Sequence, residues 1–374
     1  MAGYTYSAVG NREDLSDIIV NISPEENFLQ KTFGRTDVTA MKHDWLTDSI
    51  RPAGANRVKE AADFATVAPT PRVRLSNYIQ NFMAGYVVSD LQEVVLKAGI
   101  KSEIGYQMVK ASKEIARDLE FALVNNATAI EGNASDGGQF GGVKYFSGGD
   151  AIALAQTGGV FTFANHKLQT GGAVVFYIGS GGTMDANLTA NTLYYVNVLT
   201  ENTFKIYTTP QKAQAGGVDN ITPATGGTNV KVTRSNIISA NASLGESHLN
   251  NMMEMIWKQG GNVSTAVMSG KNKRVVSGFT VSATKNVDMS DKKRTQVVEV
   301  WETDFGMINL MAHRQYADDR IDFFEYQHWK LAYLKPFKVE DVPRKGTYTE
   351  KVITGSLTLE NRSPQASGAI INLA

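Results

Sequence analysis

Residues 101–127 read KSEIGYQMVKASKEIARDLEFALVNNA. Apolar side chains recur in this stretch at steps of three and four residues, which predicts one amphipathic helix. The charged side chains lie largely off that apolar stripe. At 1.5 Å per residue the helix would be roughly 40 Å long, enough to cross a whole domain. The stripe is formed by Ile104, Met108, Ala111, Ile115, Leu119 and Ala122.

The segment before this helix alternates with a period of two, which predicts strands. Val73, Leu75, Asn77 and Ile79 share one face, and Arg72 and Arg74 belong to the other. A turn-rich run, residues 51–56, precedes them. A long two-stranded extension has little core of its own and is marginal in water by itself. We therefore expect this hairpin to pack on a neighbouring copy of the chain.

After the helix the composition changes abruptly. Residues 157–233 contain only seven charged side chains, and they are rich in threonine and glycine. Short β-branched or aromatic runs bounded by turn residues are typical of a small all-β module, and we interpret this one as an insertion. The predicted strands are 160–163, 173–178, 193–198, 203–207 and 230–232.

A second helix is predicted after the insertion. Ser243 to Glu246 fits a capping box, and Gly260-Gly261 fits a left-handed stop. The remainder is expected to be mixed α/β, with strands at 297–300, 306–311, 321–324 and 351–359. The predicted apolar face of the helix is Leu249, Met252, Met253, Ile256 and Trp257.

The first forty residues resemble an arm. Ser23-Pro24-Glu25-Glu26 fits a helix start, with an acceptor, a proline and two acids at the positive dipole end. Only a short apolar patch follows, at Phe28, Leu29 and Phe33, before Gly34. Such a segment buries little by itself and is expected to need another surface.

The composition excludes several classes of function. The chain has no cysteine, so it has no disulfide, thiol nucleophile or cysteine zinc site. Its formal net charge is zero, whereas proteins that bind nucleic acid tightly usually carry an excess of basic residues. We find no signal-peptide pattern and no run of apolar residues long enough for a membrane span.

No catalytic or ligand motif stands out. Gly270-Lys271 lacks the rest of a phosphate loop, and the five histidines do not pair at metal-ligand spacing. A hydrogen-bonded structural role is the favoured interpretation of His43. We expect the aromatic cluster at 323–333 to be core or interface packing. No cofactor, metal or catalytic residue is predicted.

Four blocks of the sequence resemble the tailed-bacteriophage major capsid proteins of the Hong Kong ninety-seven-type fold, within a myovirus and podovirus subgroup. Their order and spacing carry the resemblance, and together they span about residues 1–150 and 236–374. The blocks are Asn11–Asp17 with Ser23–Glu26, His43–Asp48, Glu103–Glu120, and Trp301–Gly306 followed by Trp329–Phe337 and Gly346–Glu360.

The resemblance implies an α+β fold in five segments. Residues 1–40 would form an N-terminal arm, and residues 41–90 an extended loop with flanking strands. Residues 91–156 would form a peripheral domain around a long spine helix. Residues 157–233 would be an inserted β-rich domain, of the kind that some relatives display on the shell exterior. Residues 234–374 would form the axial domain and the returning peripheral strands.

The implied function is structural: a subunit that assembles as hexamers and pentamers into an icosahedral shell around double-stranded DNA, made in the host cytoplasm. Implied partners are other copies of the chain, a decoration or scaffolding protein, a portal, and DNA through weak non-specific contact. We expect deletion of residues 1–35 to leave a folded protein that forms few closed shells. Candidate interface residues are Phe28, Phe33, Trp45, Lys59, Arg72, Arg74, Glu114, Arg117 and Asp118.

Alternatives remain open at this stage. An encapsulin-like nanocompartment would have the same fold, and a carbohydrate-binding virion surface protein would use the insertion as its working domain. Some relatives cross-link a loop lysine to a neighbour's asparagine. Lys59 lies in the matching loop, but an ordinary exposed lysine is the favoured interpretation. Arg72 and Arg74 could contact DNA, although a neighbour's carboxylates or water are the favoured contacts.

Overall fold

The computed structural model describes residues 27–63, 72–95, 101–148, 150–151, 159–224, 227–279 and 299–374. The blocks Asn11–Asp17 and Ser23–Glu26 lie outside these ranges, as do residues 297 and 298. The chain divides into two compact units. We call Phe82–Leu119 with Pro336–Gly355 the small unit. The large unit is Phe28–Asn81, Glu120–Lys335 and Ser356–Ala374.

The first half of the chain contains the predicted hairpin and the long helix. The elements in order are α1 (Phe28–Thr32), β1 (Gly34–Asp37), β2 (Lys42–Thr47), β3 (Val73–Tyr78), β4 (Gln80–Ser89), α2 (Asp90–Val94), α3 (Glu103–Asn125) and α4 (Val143–Phe146). Strands β2 and β3 pair antiparallel from Lys42 opposite Tyr78 to Thr47 opposite Val73. The period-two prediction for this hairpin is confirmed.

The long helix also follows its sequence pattern. Ala111, Ile115, Leu119 and Ala122 are buried, as the apolar stripe predicts. Met108 at the start of the stripe is exposed, and the buried set extends instead to Leu123 and Val124 near the C-terminal end. The helix is therefore buried most fully over its last turns.

Five strands of the charge-poor segment, together with β5 just before it, form a six-stranded sheet in the order β5-β10-β7-β8-β9-β6, which we call the inserted sheet. Four of the five predicted strands are found with shifted ends, and 203–207 is found as predicted. The helix α5 lies within this segment and was not predicted. The elements are β5 (Asp150–Ala151), β6 (Phe161–Thr162), β7 (Ala173–Thr183), β8 (Leu193–Thr200), β9 (Thr203–Tyr207), α5 (Pro210–Ala215) and β10 (Thr228–Thr233).

The rest of the chain builds a second six-stranded sheet, in the order β11-β18-β15-β12-β14-β13, and the long strands of a four-stranded sheet, β1-β16-β17-β4. The elements are β11 (Asn236–Ala242), α6 (Glu246–Lys258), β12 (Thr265–Met268), α7 (Gly270–Phe279), β13 (Val300–Thr303), β14 (Gly306–Ala312), β15 (Ile321–Phe324), β16 (Trp329–Asp341), β17 (Tyr348–Asn361) and β18 (Gly368–Leu373).

Helix α6 corrects one prediction about its start. The helix begins after Gly245, and the ring Nδ1 of His248 accepts a hydrogen bond from the Gly245 amide at 3.0 Å. The predicted capping box of Ser243 with Glu246 is wrong. A helix capped by Ser243 would begin at residue 244, whereas α6 begins at Glu246. At the other end Gly260 has φ +82°, so the left-handed stop is confirmed.

The apolar face of α6 packs into the core of the second six-stranded sheet, with one exception. Leu249, Met252, Met253 and Ile256 are buried in that core. Trp257 is 58% exposed, contrary to prediction, and its ring lies 5.5 Å from the ring of Phe305. Trp257 therefore lies at the surface, beside Phe305, which itself packs against the core.

Candidate assembly surfaces

Trp45 anchors the hairpin β2–β3 to the rest of the large unit. Trp45 is buried, and its indole Nε1 donates a hydrogen bond of 3.0 Å to the carbonyl oxygen of Asn361. Its ring also packs against Phe146 at 6.1 Å. We had expected Trp45 to contact a neighbouring copy. The structure places it inside its own chain, where the alternation of β2 turns it inward.

Asn77 on β3 is fully hydrogen-bonded although it is buried. Its Nδ2 donates to the carbonyl oxygens of Gly141 at 3.0 Å and Leu359 at 2.7 Å, and its Oδ1 accepts from the Gly141 amide at 2.8 Å. A buried amide with several satisfied partners holds one geometry. The base of the hairpin is thus fixed in direction.

A buried carboxylate holds Leu29 and Gln30, which lie within the predicted arm. Glu120 of α3 accepts hydrogen bonds from the amides of Leu29 at 2.8 Å and Gln30 at 3.2 Å, and its Oε1 lies 3.1 Å from Nε2 of His313. Free amides at the start of a helix favour such an acceptor. Glu120 was not singled out by the sequence, because it looked like one more charge on a solvated helix face.

Phe33 is buried and stacks on Trp329 with ring centroids 5.5 Å apart. Phe28 is half-buried, 6.1 Å from Tyr326. Residues 28–37 therefore pack on their own chain, with β1 paired parallel to β16. The expectation that residues 1–40 need another surface is wrong for these ten residues. Deleting residues 1–35 would remove core side chains, so it would not test assembly alone.

His43 on β2 contacts a buried carboxylate. Its Nε2 lies 3.1 Å from Oε2 of Glu360, and Arg362 hydrogen-bonds the other oxygen. Burial raises the pKa of Glu360, but the hydrogen bonds from His43 and Arg362 outweigh it, so the pKa lies below its ordinary value. The structural interpretation of His43 is supported by this pairing.

The outer face of the hairpin carries the two predicted arginines. Arg72 Nε lies 3.3 Å from Asp48 Oδ2, and Arg74 pairs with Asp44. Both arginines are largely exposed. We had expected them to meet water or a neighbour's carboxylates. Their first partners are acids of the same hairpin, although their remaining donors still point outward.

The loop that follows β2 has little cover from its own chain. Ile50 is 96% exposed, and Val58 and Lys59 are also exposed. One hydrogen bond joins this loop to the inserted sheet, from Gln211 Nε2 to the Ala53 carbonyl oxygen at 3.0 Å. Apolar side chains in a loop without cover are what a subunit interface requires.

The small unit also has exposed apolar side chains, on a strand and on a short helix. Met83 and Val87 point to the exposed face of β4, and Leu91, Val94 and Val95 follow on and after α2. Among the described residues of this unit, six hydrophobic ones are buried, namely Phe82, Val88, Ala111, Ile115, Leu119 and Ile353.

The exposed side of α3 carries the remaining predicted residues. Glu114, Arg117 and Asp118 are all exposed, and Lys110 lies 3.8 Å from Glu114 in an ion pair one helical turn away. Exposed pairs of this kind contribute little to folding. All three side chains lie on the exposed side of the helix, where another chain could contact them.

The described residues contain no group of three or more histidine or acidic side chains that could hold a metal ion. Likewise, no described helix is long and apolar enough to cross a membrane. The aromatic cluster is core packing: Phe323, Phe324 and Trp329 are fully buried. The described residues of both units therefore present exposed apolar or charged surfaces.

This fold is that of phage capsid subunits. The chain superposes on a subunit of the Cyanophage A-1(L) capsid with a TM-score of 0.57 at 10% identity, covering 97% of both chains. It superposes on the capsid of an empty GTA particle with a TM-score of 0.55 at 11% identity, covering 100% of both. The predicted α+β capsid fold is confirmed.

The sequence comparisons go further than the fold. The family model described as SU10 major capsid protein matches residues 2–374. A major capsid protein of Escherichia phage Phieco32 is 22% identical over 376 residues, covering 99% of this chain and 96% of that relative. The chain belongs to the SU10 major capsid protein family, and its function is that of a tailed-phage major capsid protein. Neither the nanocompartment nor the carbohydrate-binding alternative is favoured.

Proposed function

We propose that this chain assembles as hexamers and pentamers into an icosahedral shell around double-stranded DNA, in the cytoplasm of the host bacterium. The family match over residues 2–374 supports this proposal, together with the uncovered loop at residues 48–63. A shell subunit must satisfy its exposed apolar surface on copies of itself. Repeated heterologous contacts that close are what a symmetric shell needs.

In this proposal the five segments have distinct roles. The arm (1–40) and the extended loop (41–90) join copies, and the spine helix of the peripheral domain (91–156) sets the subunit shape. The inserted domain (157–233) lies on the exterior, and residues 234–374 supply the axial domain with the returning strands. The chain has no catalytic role and takes no cofactor, since nothing in its family points to chemistry.

The candidate interface residues divide by burial. Phe33 and Trp45 leave the proposal because they are buried inside the chain. Phe28, Lys59, Arg72, Arg74, Glu114, Arg117 and Asp118 stay in it, because each keeps at least part of its side chain at the surface. Obligate interfaces commonly bury about 2,000 Å² or more. A loop and a helix face together can supply such an area.

Further partners follow from the proposed role. A portal, a scaffolding protein and a decoration protein are proposed as protein partners. Contact with packaged DNA would be weak and non-specific, since Lys plus Arg and Asp plus Glu both number 37. A neutral subunit releases few counterions when it meets phosphate, so its affinity for DNA stays low.

The test is to shorten the extended loop without removing its base. Residues 49–71 are replaced by Asn-Gly, which closes a two-residue turn between β2 and β3. Because Trp45 and Asn77 remain, we expect the variant to fold and to melt like the unaltered chain. Electron microscopy should show closed shells for the unaltered chain and few or none for the variant. Normal shells from the shortened variant would contradict the role of the loop in joining copies, and no shells from the unaltered chain would contradict the proposed assembly.

A further inference from the structure

A cavity of about 660 Å³ lies between the outer face of the hairpin β2–β3 and the inserted sheet. The hairpin contributes residues of β2 and β3, and the insertion contributes residues 165–168 with Val198 and Glu201. All of these residues belong to the large unit. Its charged lining residues are Lys42, Arg72, Arg74, Lys167, Asp44 and Glu201.

The lining has more positive than negative charge. Four of the six charged side chains are basic and two are acidic. Arg74 is paired with Asp44, and Arg72 is paired with Asp48 outside the lining. Lys42 lies over the ring of Tyr78 at 5.7 Å, a contact that leaves its positive charge uncompensated.

Lys167 lies where these charges converge. Its Nζ is 3.5 Å from the hydroxyl of Ser76, a neutral group. Burial lowers the pKa of Lys167, and the positive charges of Arg234, Lys42 and Arg74 act in the same direction against Asp44 alone. An ammonium group that meets several cations in a partly buried cavity would be stabilised by added negative charge.

The chain itself contains a segment with the opposite charge. Residues 11–26 carry five acids and a single base, Arg12. Three of the acids fall within five positions, which allows several carboxylates to enter one cavity together. The acids are Glu13, Asp14, Asp17, Glu25 and Glu26.

We propose that this cavity binds the acidic segment 11–26 of a second copy of the chain. The inference rests on the proposed function, which brings copies into contact in a shell. Carboxylates beside Lys42 and Lys167 would form charge-assisted hydrogen bonds, which are stronger than neutral ones. Charge complementarity also selects one docking arrangement over others. The cavity would thereby join the arm of one copy to the hairpin base and insertion of the next.

The test exchanges the charges in two full-length variants. One carries Lys167→Glu, and the other carries Glu13→Lys, Asp14→Lys and Asp17→Lys. Each variant alone places like charges together, so its yield of closed shells should fall at least tenfold. An equimolar mixture restores opposite charges in every contact between unlike copies, so shells should return. Lys205→Glu is the control, a charge reversal on β9 outside the cavity, and should leave the yield unchanged.

A binding measurement covers the case in which Lys167→Glu fails to fold. A labelled peptide of residues 11–26 is titrated into the full-length variant with the altered arm, whose cavity is intact. Lys167→Gln added to that variant should weaken the binding at least tenfold, whereas Lys205→Gln should not. Raised salt should weaken it as well. Competition by inorganic phosphate at millimolar concentration should be incomplete, because phosphate presents one anion and the segment presents several.

Several results would overturn the inference. The first is a full yield of shells from Lys167→Glu alone. The second is an equimolar mixture that forms no more shells than either variant by itself. The third is an affinity for the peptide that Lys167→Gln does not change. Duplex DNA or phosphate binding in the cavity while the peptide does not bind would also overturn it. If instead the unaltered chain and Lys205→Glu both fail to form shells, the proposed function has failed, and the two failures are therefore distinguishable.

Discussion

The inserted sheet and the small unit use their apolar residues in opposite ways. The inserted sheet closes a core of its own, in which Phe161, Phe176, Val196, Phe204 and Ile206 are fully buried. In the part of the small unit that the structure describes, six hydrophobic residues are buried and eight large ones are exposed. Those eight are Met83, Val87, Leu91, Val94, Val95, Met108, Val109 and Val339.

This difference separates a part that is complete in one chain from a part that is not. An apolar side chain stabilises a fold by about 1.5–3 kcal/mol when it leaves water, and it contributes nothing of this while exposed. The inserted sheet obtains that contribution within one chain. The described residues of the small unit do not cover these side chains, so we expect contact with another copy of the chain to supply that contribution.

The largest expected effect is in the inserted core. Phe204 is fully buried and stacks on Phe161 with ring centroids 5.4 Å apart and an interplanar angle of 9°. Phe204→Ala should lower the local free energy of unfolding by about 3–5 kcal/mol, because it removes buried surface and leaves a cavity. Hydrogen exchange of β7, β8 and β9 in the full chain measures this.

The matched control is Leu199→Ala on β8, in the same sheet but exposed. It should change the exchange free energies by about 0.5 kcal/mol or less. Equal effects from Phe204→Ala and Leu199→Ala would show that the inserted sheet has no separate core. That result would contradict the proposed difference between the inserted sheet and the small unit.

A smaller effect is expected where the hairpin joins the large unit by charge. The pKa of Glu360 lies below its ordinary value, so the contact with His43 and Arg362 contributes stability above the unfolded pKa. That contribution is lost as the pH falls through the folded pKa. Glu360→Gln should cost about 1–3 kcal/mol at neutral pH, since it removes charge-assisted bonds.

The pH dependence distinguishes this contact from simple packing. The stability of the unaltered chain against urea should fall as the pH drops below 4.5, the ordinary pKa of a glutamate, and that of the Glu360→Gln variant should fall less steeply. Glu302→Gln, on an exposed position of β13, is the control and should leave the slope unchanged. Parallel slopes for Glu360→Gln and the unaltered chain would mean that Glu360 has no part in acid lability.

Much of the secondary structure of these regions could be predicted from the sequence, because it follows from periodicity and composition. The apolar stripe of 101–127 and the alternation at 72–79 predicted α3 and the hairpin. The loss of charge after residue 157 predicted a β-rich insertion. These signals are local, and a local pattern of apolar residues is what secondary structure and burial respond to.

The contacts that fix the candidate surfaces were not predictable in this way. Glu120 pairs with His313, which is 193 residues away, and Asn77 bonds Leu359, 282 residues away. In the sequence each is an ordinary polar residue. Trp257 was expected in the core because it continues an apolar stripe, yet it is exposed. A stripe shows which residues are apolar and not how wide the buried face is.

The smallest effect on folding is expected in the small unit. Leu91 is 79% exposed and Val94 is 84% exposed, on one face of α2. Leu91→Ser with Val94→Ser should change the free energy of unfolding of the unassembled chain by about 0.5 kcal/mol or less, because neither side chain is buried there. We expect urea unfolding to be unaltered in this variant. We also expect electron microscopy to show that closed shells are lost.

The charged exposed pair on α3 supplies the comparison for this variant. Lys110→Ser with Glu114→Ser also removes two exposed side chains of the small unit, but it removes no apolar surface. If apolar surface joins the small unit to other copies, the Leu91 and Val94 variant should reduce shell yield far more than this pair does. Equal yields from the two variants would mean that the exposed apolar residues of the small unit take no part in assembly, whatever their exposure.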